Sequence, residues 1–219
     1  MGLQRGGGTA MKLKGVADVV FCFDCTGSMS PVIENVKSNV KKFVDGLNAD
    51  QAIKIDWRMR AIGYGDLECK EEVQNSNEFV SEVAQFQAQI DNLNMVGGGD
   101  EPESTLDTII YAAKTSKWRE RSQKVIVVFT DATTKDIHSS TKKFSINDVN
   151  ELKKDLTNNH IKLFLWGRTD SKYEALNTVP KSEITLMEDP HATLVSADMV
   201  KVLEIMGKTI SSEMKSDTL

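Results

Sequence analysis

The segment Asp24-Cys25-Thr26-Gly27-Ser28-Met29-Ser30 sets one carboxylate and two hydroxyls at two-residue intervals, directly after an apolar run. A chain leaving a strand at Asp24 can turn so that Asp24, Thr26 and Ser28 present oxygen to one point, with Gly27 expected to let the backbone turn tightly. Two other segments have the same character. Thr130-Asp131-Ala132 follows the apolar run 125–129, and Gly97-Gly98-Gly99-Asp100-Glu101-Pro102-Glu103-Ser104 precedes a helical stripe. All three bring carboxylates or hydroxyls, and none contains a Lys or Arg. Gathered negative charge of this kind is costly unless a cation offsets it. Oxygen donors suit a hard divalent ion. Magnesium takes about six of them at about 2.0–2.1 Å and keeps some waters, and manganese and calcium accept the same ligand types. Thiolates and imidazoles are few nearby, which disfavours zinc and copper.

For these segments to meet, the strands before them must lie side by side. Val16 to Phe23, Val125 to Phe129 and Ile161 to Trp166 are apolar runs, interrupted only by Asp18 in the first and Lys162 in the third, the pattern of strands buried on both faces. Ile53 to Tyr64 alternates more and suits a strand with one wetter face or an edge position. Ile184 to Met187 is a weaker pattern for a late strand. Helical stripes lie between. Ser30 is placed to cap a helix with Pro31 at its first position, and Ile33, Val36, Val40, Phe43, Val44 and Leu47 recur on one face. Further stripes are Phe79-Val83-Phe86-Ile90-Leu93, Leu106-Ile109-Ile110-Ala113 and Ile146-Val149-Leu152-Leu156, and Val195 to Met214 supplies a closing helix. Strands alternating with helices predict an α/β, Rossmann-like, doubly wound and mostly parallel sheet flanked by helices. In such sheets ligands bind beyond the carboxyl ends of the central strands, where the three segments fall. The domain is expected over 14–214, after a flexible leader at 1–13 that contains Gly6-Gly7-Gly8 and before a short tail at 215–219.

The bulk properties narrow the function classes. At 219 residues the chain suits a single domain, and 40% hydrophobic with 27% charged residues is an ordinary globular balance. A net charge of −5 argues against a nucleic-acid partner, which wants a clustered basic face. The apolar runs are too short to span a bilayer, no signal-peptide pattern opens the chain, and Gly6 stands where a myristoylation signal needs Ser or Thr, so no membrane insertion is expected. Three cysteines, an odd number, suggest reduced thiols and a cytoplasmic location.

Plainer roles stand beside the chemical ones. Asp24 could end a strand, Ser28 or Ser30 could cap a helix, and Asp100 to Glu103 could be an acidic turn favoured by a helix dipole. Asp66, just past the Ile53–Tyr64 run, either approaches the same face or sits in a solvated turn, the commoner outcome. Cys22 and Cys25 match C-x-x-C but read as small buried or turn residues, since Cys22 lies within a strand and no second such pair exists. Cys69 reads as a loop thiol, His138 as a solvated loop histidine, and Trp57, Trp118 and Trp166 as packing residues.

Asp24-x-Thr26-x-Ser28, the Gly-rich acidic middle segment and Thr130-Asp131 together resemble the metal-ion-dependent adhesion site of von Willebrand factor type A domains. The resemblance extends over about residues 14–214 in element order. It implies Asp24, Thr26 and Ser28 as first-loop metal ligands and Asp131 as the third-loop carboxylate, bound directly or through water. The middle segment Asp100-Glu101-Pro102-Glu103 is similar to the Asp-x-Pro-Glu stretch of integrin β-subunit domains. That similarity implies Glu103 as the middle-loop ligand and Asp100 as a residue that helps hold a second ion. The wording Asp-Cys-Thr-Gly-Ser and Gly-Gly-Gly-Asp-x-Pro-Glu also looks like intracellular members linked to kinases and stress-response operons. The implied function is non-enzymatic: a module that uses magnesium, with manganese or calcium as substitutes, to bind the carboxylate of another protein. A kinase, phosphatase or other component of a larger assembly is the implied partner. The alternative is an Asp-based, metal-dependent phosphohydrolase with Asp24 as nucleophile. That chemistry usually wants a second carboxylate two residues on, where Thr26 stands, and P-loop chemistry lacks its motif.

Overall fold

The computed structural model describes residues 13–49, 53–69, 73, 78–96, 101–195 and 198–216. Asp100, the leader apart from Leu13, and residues 217–219 of the expected tail lie outside the described residues. The elements in chain order are β1 Leu13–Asp24, α1 Ser30–Leu47, β2 Ile53–Tyr64, α2 Val83–Asp91, α3 Thr105–Thr115, β3 Gln123–Phe129, α4 Val149–Asn158, β4 Ile161–Arg168, α5 Ser171–Leu176, β5 Glu183–Met187, α6 Pro190–Val195 and α7 Asp198–Ser216. Among the described residues the strands form one sheet in the order β2-β1-β3-β4-β5, with every pair parallel.

The apolar runs follow from burial on both faces. Along β1, Val19, Phe21 and Phe23 turn to one core with Val36, Val40 and Phe43 of α1 and Leu203 and Ile210 of α7. Val20 and Cys22 turn to the other core with Ile109 of α3 and Leu152 and Leu156 of α4. Fully burying side chains of this size stabilises the fold by about 1.5–3 kcal/mol each. The alternating β2 is an edge strand, and Val80 bridges its Met59 through two backbone hydrogen bonds of 2.7 and 2.8 Å.

The strand order also locates the site. From β1 the chain moves outward to β2, then crosses back to place β3 on the other side of β1. The sheet therefore reverses its winding between β1 and β3, and the crevice at such a switch point opens beyond the carboxyl ends of those two strands. Asp24 ends β1 and Thr130 follows β3 there.

Several local expectations need correction. Ser30 does not cap α1. A 3-10 turn over Gly27–Met29 leads into the helix, Met29 occupies the cap position, no side chain caps the end, and Pro31 stands second in the helix rather than first. Phe79 is not in α2, which begins at Val83. The pairing of Val80 with β2 overrides the helical stripe, and the Phe79 ring packs at a tilt against Trp118 with the Arg58 guanidinium 4.2 Å from its centroid. The closing helix runs through Ser216, into the expected tail. The short α5 and α6 show no periodicity to read, although the Asp170 side chain accepts the Lys172 amide as an ordinary cap for α5. α7 lies against α1 so closely that a side-chain carbon at Gly46 or Gly207 would collide with the opposing backbone.

Candidate metal centre

Asp24 lies at the bottom of the crevice and is 0% exposed. Its Oδ1 accepts the Thr26 amide at 3.0 Å and the Thr26 hydroxyl at 2.7 Å, and its Oδ2 accepts the Thr130 hydroxyl at 2.8 Å. The hydroxyls of Thr26 and Ser28 stand 3.4 Å apart, with Ser28 exposed at the rim. Thus the two-residue spacing does bring Asp24, Thr26 and Ser28 together. Gly27 is not what permits it: no described glycine has a positive φ, and a side-chain carbon at Gly27 would meet nothing within 4 Å. An ordinary right-handed 3-10 turn accomplishes the bend.

The charge on Asp24 is poorly accommodated. Burial pushes its carboxyl up to about 6, the hydrogen bonds from Thr26 and Thr130 only partly oppose this, and the nearby Asp131 carboxylate pushes it further up. The hydrogen bonds it receives come from hydroxyls and one amide. A group of oxygens with excess negative charge and neutral partners fits a hard divalent cation.

Asp131 flanks the crevice with its side chain 13% exposed. Arg168 at the end of β4 fixes the backbone there, its Nε donating to the Asp131 carbonyl at 3.0 Å and meeting the Glu101 carboxylate at 3.0 Å. The middle segment is anchored on both flanks of the site. Val96 bridges Thr26 and donates its amide to the Cys25 carbonyl at 2.9 Å. Glu103 bridges Thr134, donating to the Thr133 carbonyl at 3.0 Å and accepting from the Lys135 amide at 2.9 Å. Glu103 is 4% exposed. Among the described residues no three carboxylate, imidazole or thiolate side chains are grouped to hold an ion by themselves. Any ion held here depends on the hydroxyls of Thr26 and Ser28.

Beneath the site runs a buried polar ladder that the sequence did not suggest. The hydroxyls of Tyr64 and Thr105 lie 3.1 Å apart, and the Tyr173 hydroxyl donates to Thr105 at 2.9 Å and approaches the Ala132 carbonyl at 3.3 Å. It joins the ends of β2 and α3 to the loop that carries Asp131. Thr130 was legible only as a neighbour of Asp131, yet its hydroxyl is the contact that binds the β3 end to Asp24.

Asp66 is not in a solvated turn. It is 2% exposed and paired with Lys135 at 2.7 Å, while also accepting the Cys69 thiol at 3.1 Å and the Glu68 amide at 2.9 Å. Lys135 follows Thr134 in the third loop, so the pair ties that loop to the end of β2. Cys22 and Cys25 are buried as expected, and burial pushes both thiols up to about 12, far from thiolate chemistry at neutral pH. The loop histidine His138 accepts or donates to Ser140 at 2.8 Å and donates its amide to Asp107. The histidine that does reach the site is His191 of α6, whose Nδ1 lies 3.4 Å from Asp131 Oδ2. No helix among the described residues is long and apolar enough to cross a membrane.

Comparison with known proteins agrees with this architecture. The chain is 28% identical over 148 residues to the alpha-protein kinase vwkA of Dictyostelium discoideum, a match that covers 67% of this chain and 23% of that protein. Among solved structures, proximal thread matrix protein 1 from the mussel byssus, described with a zinc-occupied metal-ion-dependent adhesion site motif, superposes with a TM-score of 0.59 at 16% identity, covering 89% of this chain and 45% of that one. A von Willebrand factor type A protein from Catenulispora acidiphila superposes with a TM-score of 0.59 at 13% identity, covering 90% and 43%. At such identities these structures establish the fold. The profile of the von Willebrand factor A domain matches residues 18–157, well over half of the 219 residues, and the chain belongs to that family.

Proposed function

We propose that this domain is a non-catalytic module that binds another protein through a divalent cation. Asp24, Thr26, Ser28 and Asp131 hold the cation, and Glu103, with Asp100 by its place in the sequence, contributes from the middle segment. The observation that carries this reading is Asp24: a fully buried carboxylate at the switch point, held by neutral donors and repelled by Asp131. The oxygen donors by themselves select magnesium, with manganese and calcium as substitutes. When bound, the cation offers an open coordination position to an acidic side chain of the partner. The residues do the rest. Thr26 and Thr130 orient the Asp24 carboxylate, and the Arg168 contact to the Asp131 carbonyl keeps the third loop against the crevice.

The mussel protein supports the metal reading, because the same fold there carries an occupied site of this type. The Dictyostelium relative, a kinase by its name, supports a kinase-containing assembly, and the odd, small number of cysteines supports a cytoplasmic setting. Catalysis by Asp24 is disfavoured on physical grounds. A nucleophile must reach its substrate, whereas Asp24 is buried with both oxygens engaged, and Thr26 stands where a phosphohydrolase usually has its acid.

Thermal unfolding of metal-stripped protein with magnesium, manganese or calcium tests the reading. Linkage gives about 2.7 kcal/mol of stabilisation at a hundredfold excess over the dissociation constant. Wild type is expected to show the rise and Asp24→Ala and Asp131→Ala to lose it. Absence of any rise in wild type, or magnesium-dependent turnover of a phosphate ester that Asp24→Asn abolishes, overturns it.

A further inference from the structure

The candidate metal centre occupies the carboxyl end of the sheet, and the amino end has a cavity of its own. It measures about 360 Å³ and lies where β3 begins at Gln123 and β4 at Ile161, bounded by the end of α4 and the turn before β5. That volume falls in the range of small-molecule sites, about 300–1,000 Å³. Leu156, Ile161, Val179 and Pro180 give it an apolar floor. His160, Lys162 and Lys181 line it as well, the other lining residues are neutral and polar, and none of the described lining residues is acidic. The chain as a whole is acidic, at −5, so this basic lining runs against its composition.

A cleft with low-dielectric walls and charges of one sign focuses the field and concentrates ions of the opposite sign. Lys162 and Lys181 have interactions of their own, so an anion here is drawn by their field rather than by a vacant donor. The last carbonyls of α4, which would repel an anion, are engaged: Asp155 and Thr157 accept the amides of Asn159 and His160, and Asn159 accepts Lys124 Nζ at 3.3 Å. The backbone points to the same place. Three described residues other than glycine have a positive φ, and two of them, His160 at 53° and Lys181 at 59°, line this cavity. Glycine or asparagine takes that conformation at least cost, and glycine is the usual residue just past a helix end, where His160 stands. The chain accepts left-handed backbone at both positions and places two basic residues beside one apolar floor. Strained backbone of this kind clusters at ligand sites.

We infer that this cavity is a second binding site, for a small organic anion that has an apolar body and one acidic group. The apolar body lies on Leu156, Ile161 and Val179, and the acidic group faces His160 and Lys181. The site is separate from the proposed metal centre and does not depend on it.

The test is amide NMR titration of the full chain, in chelator, with naphthoate, its neutral counterpart naphthamide, and inorganic phosphate. Naphthoate is expected to shift the amides of Ile161 and Val179 saturably and to leave those of Thr26 and Ala132 at the metal centre unmoved. Naphthamide should bind about tenfold or more weakly, because it lacks the charge, and phosphate, which lacks the apolar body, should not saturate. The double variant His160→Asn, Lys181→Asn removes both basic groups with a residue that tolerates left-handed backbone. It should lose about fivefold or more in naphthoate affinity at an unchanged urea midpoint. Equal affinity for naphthoate and naphthamide in wild type overturns the inference, and this comparison needs no variant to fold. Phosphate binding as tight as naphthoate, shifts centred away from the cavity, undiminished affinity in the double variant, or no shift at all also overturns it. Each of these outcomes leaves the metal reading untouched.

Discussion

Asp18 and Asp24 are the same residue type on the same strand, both 0% exposed, yet their surroundings treat the charge in opposite ways. An even spacing puts them on one face of β1, about 20 Å apart. Asp18, toward the amino end, is surrounded by positive charge. Its Oδ1 accepts Arg58 Nε at 2.7 Å and Arg119 Nε at 2.8 Å, and its Oδ2 accepts Arg58 Nη2 at 3.0 Å, the Arg119 amide at 2.7 Å and the Ser122 hydroxyl at 2.9 Å. Burial pushes its carboxyl up, but the hydrogen bonds from Arg58, Arg119 and Ser122 and the Arg119 charge outweigh burial and hold it below the usual carboxylate range. Asp24, at the other end, receives hydroxyls and one amide, and its carboxyl is pushed up to about 6, first of all by burial. The fold supplies counter-charge where a buried carboxylate serves structure. Where it withholds counter-charge, at Asp24, the carboxylate is the one that the proposed cation would neutralise.

The largest effect should come from removing the satisfied carboxylate. Asp18→Ala removes the buried carboxylate that two guanidinium groups share, leaving Arg58 the Lys117 carbonyl and Arg119 the Ala17 and Asp56 carbonyls and the exposed Asp56 carboxylate. Because Arg58 and Arg119 are partly exposed, the loss is expected at the low end for a broken buried pair, about 3–4 kcal/mol in urea unfolding. It should be equal with and without divalent metal. A loss that metal relieves would break the contrast between the two ends.

Acidity should sharpen the contrast further. Asp24 has a folded value above its unfolded one, so its contribution is fully present below about pH 3.9 and is lost as pH rises through about 6, on the order of 2–3 kcal/mol in metal-free protein. Asp18 has the opposite sign: its contribution is present above about pH 3.9 and lost as pH falls through its lowered folded value. Urea midpoints from pH 3 to 8 in chelator should therefore show the decline between about pH 4 and 6 in wild type and not in Asp24→Asn. Equal slopes in the two proteins would mean that Asp24 carries no excess charge.

The smallest effect is at Thr130. Thr130→Val removes the hydroxyl that Asp24 Oδ2 accepts while keeping the side-chain shape. Stability should drop by about 1 kcal/mol, and the Asp24 carboxyl, followed by carbon-detected NMR titration, should move further up. A downward move would show that Thr130 does not stabilise the charged form.

How much was legible follows from how local each signal is. The buried runs of β1, β3 and β4, the edge character of β2 and the grouping of Asp24, Thr26 and Ser28 all rest on spacing within a dozen residues, and the structure has them. The stripe Phe79 to Leu93 misled because Val80 found a strand partner, and strand pairing depends on residues far along the chain. Asp66 read as a solvated turn because its partner, Lys135, is distant in sequence. His191 went unread for the same reason, since it is far from Asp131 in the chain and near it only in space.

Periodicity and turn chemistry therefore determined the α/β layering and the oxygen donors of the first loop, because backbone geometry ties neighbouring residues together without reference to the rest of the molecule. Only the tertiary structure decided which charges are neutralised. Coulombic and hydrogen-bonding partners act over a few ångströms of space, and the fold alone sets which residues share that space, giving Asp18 its arginines and Asp24 none of them.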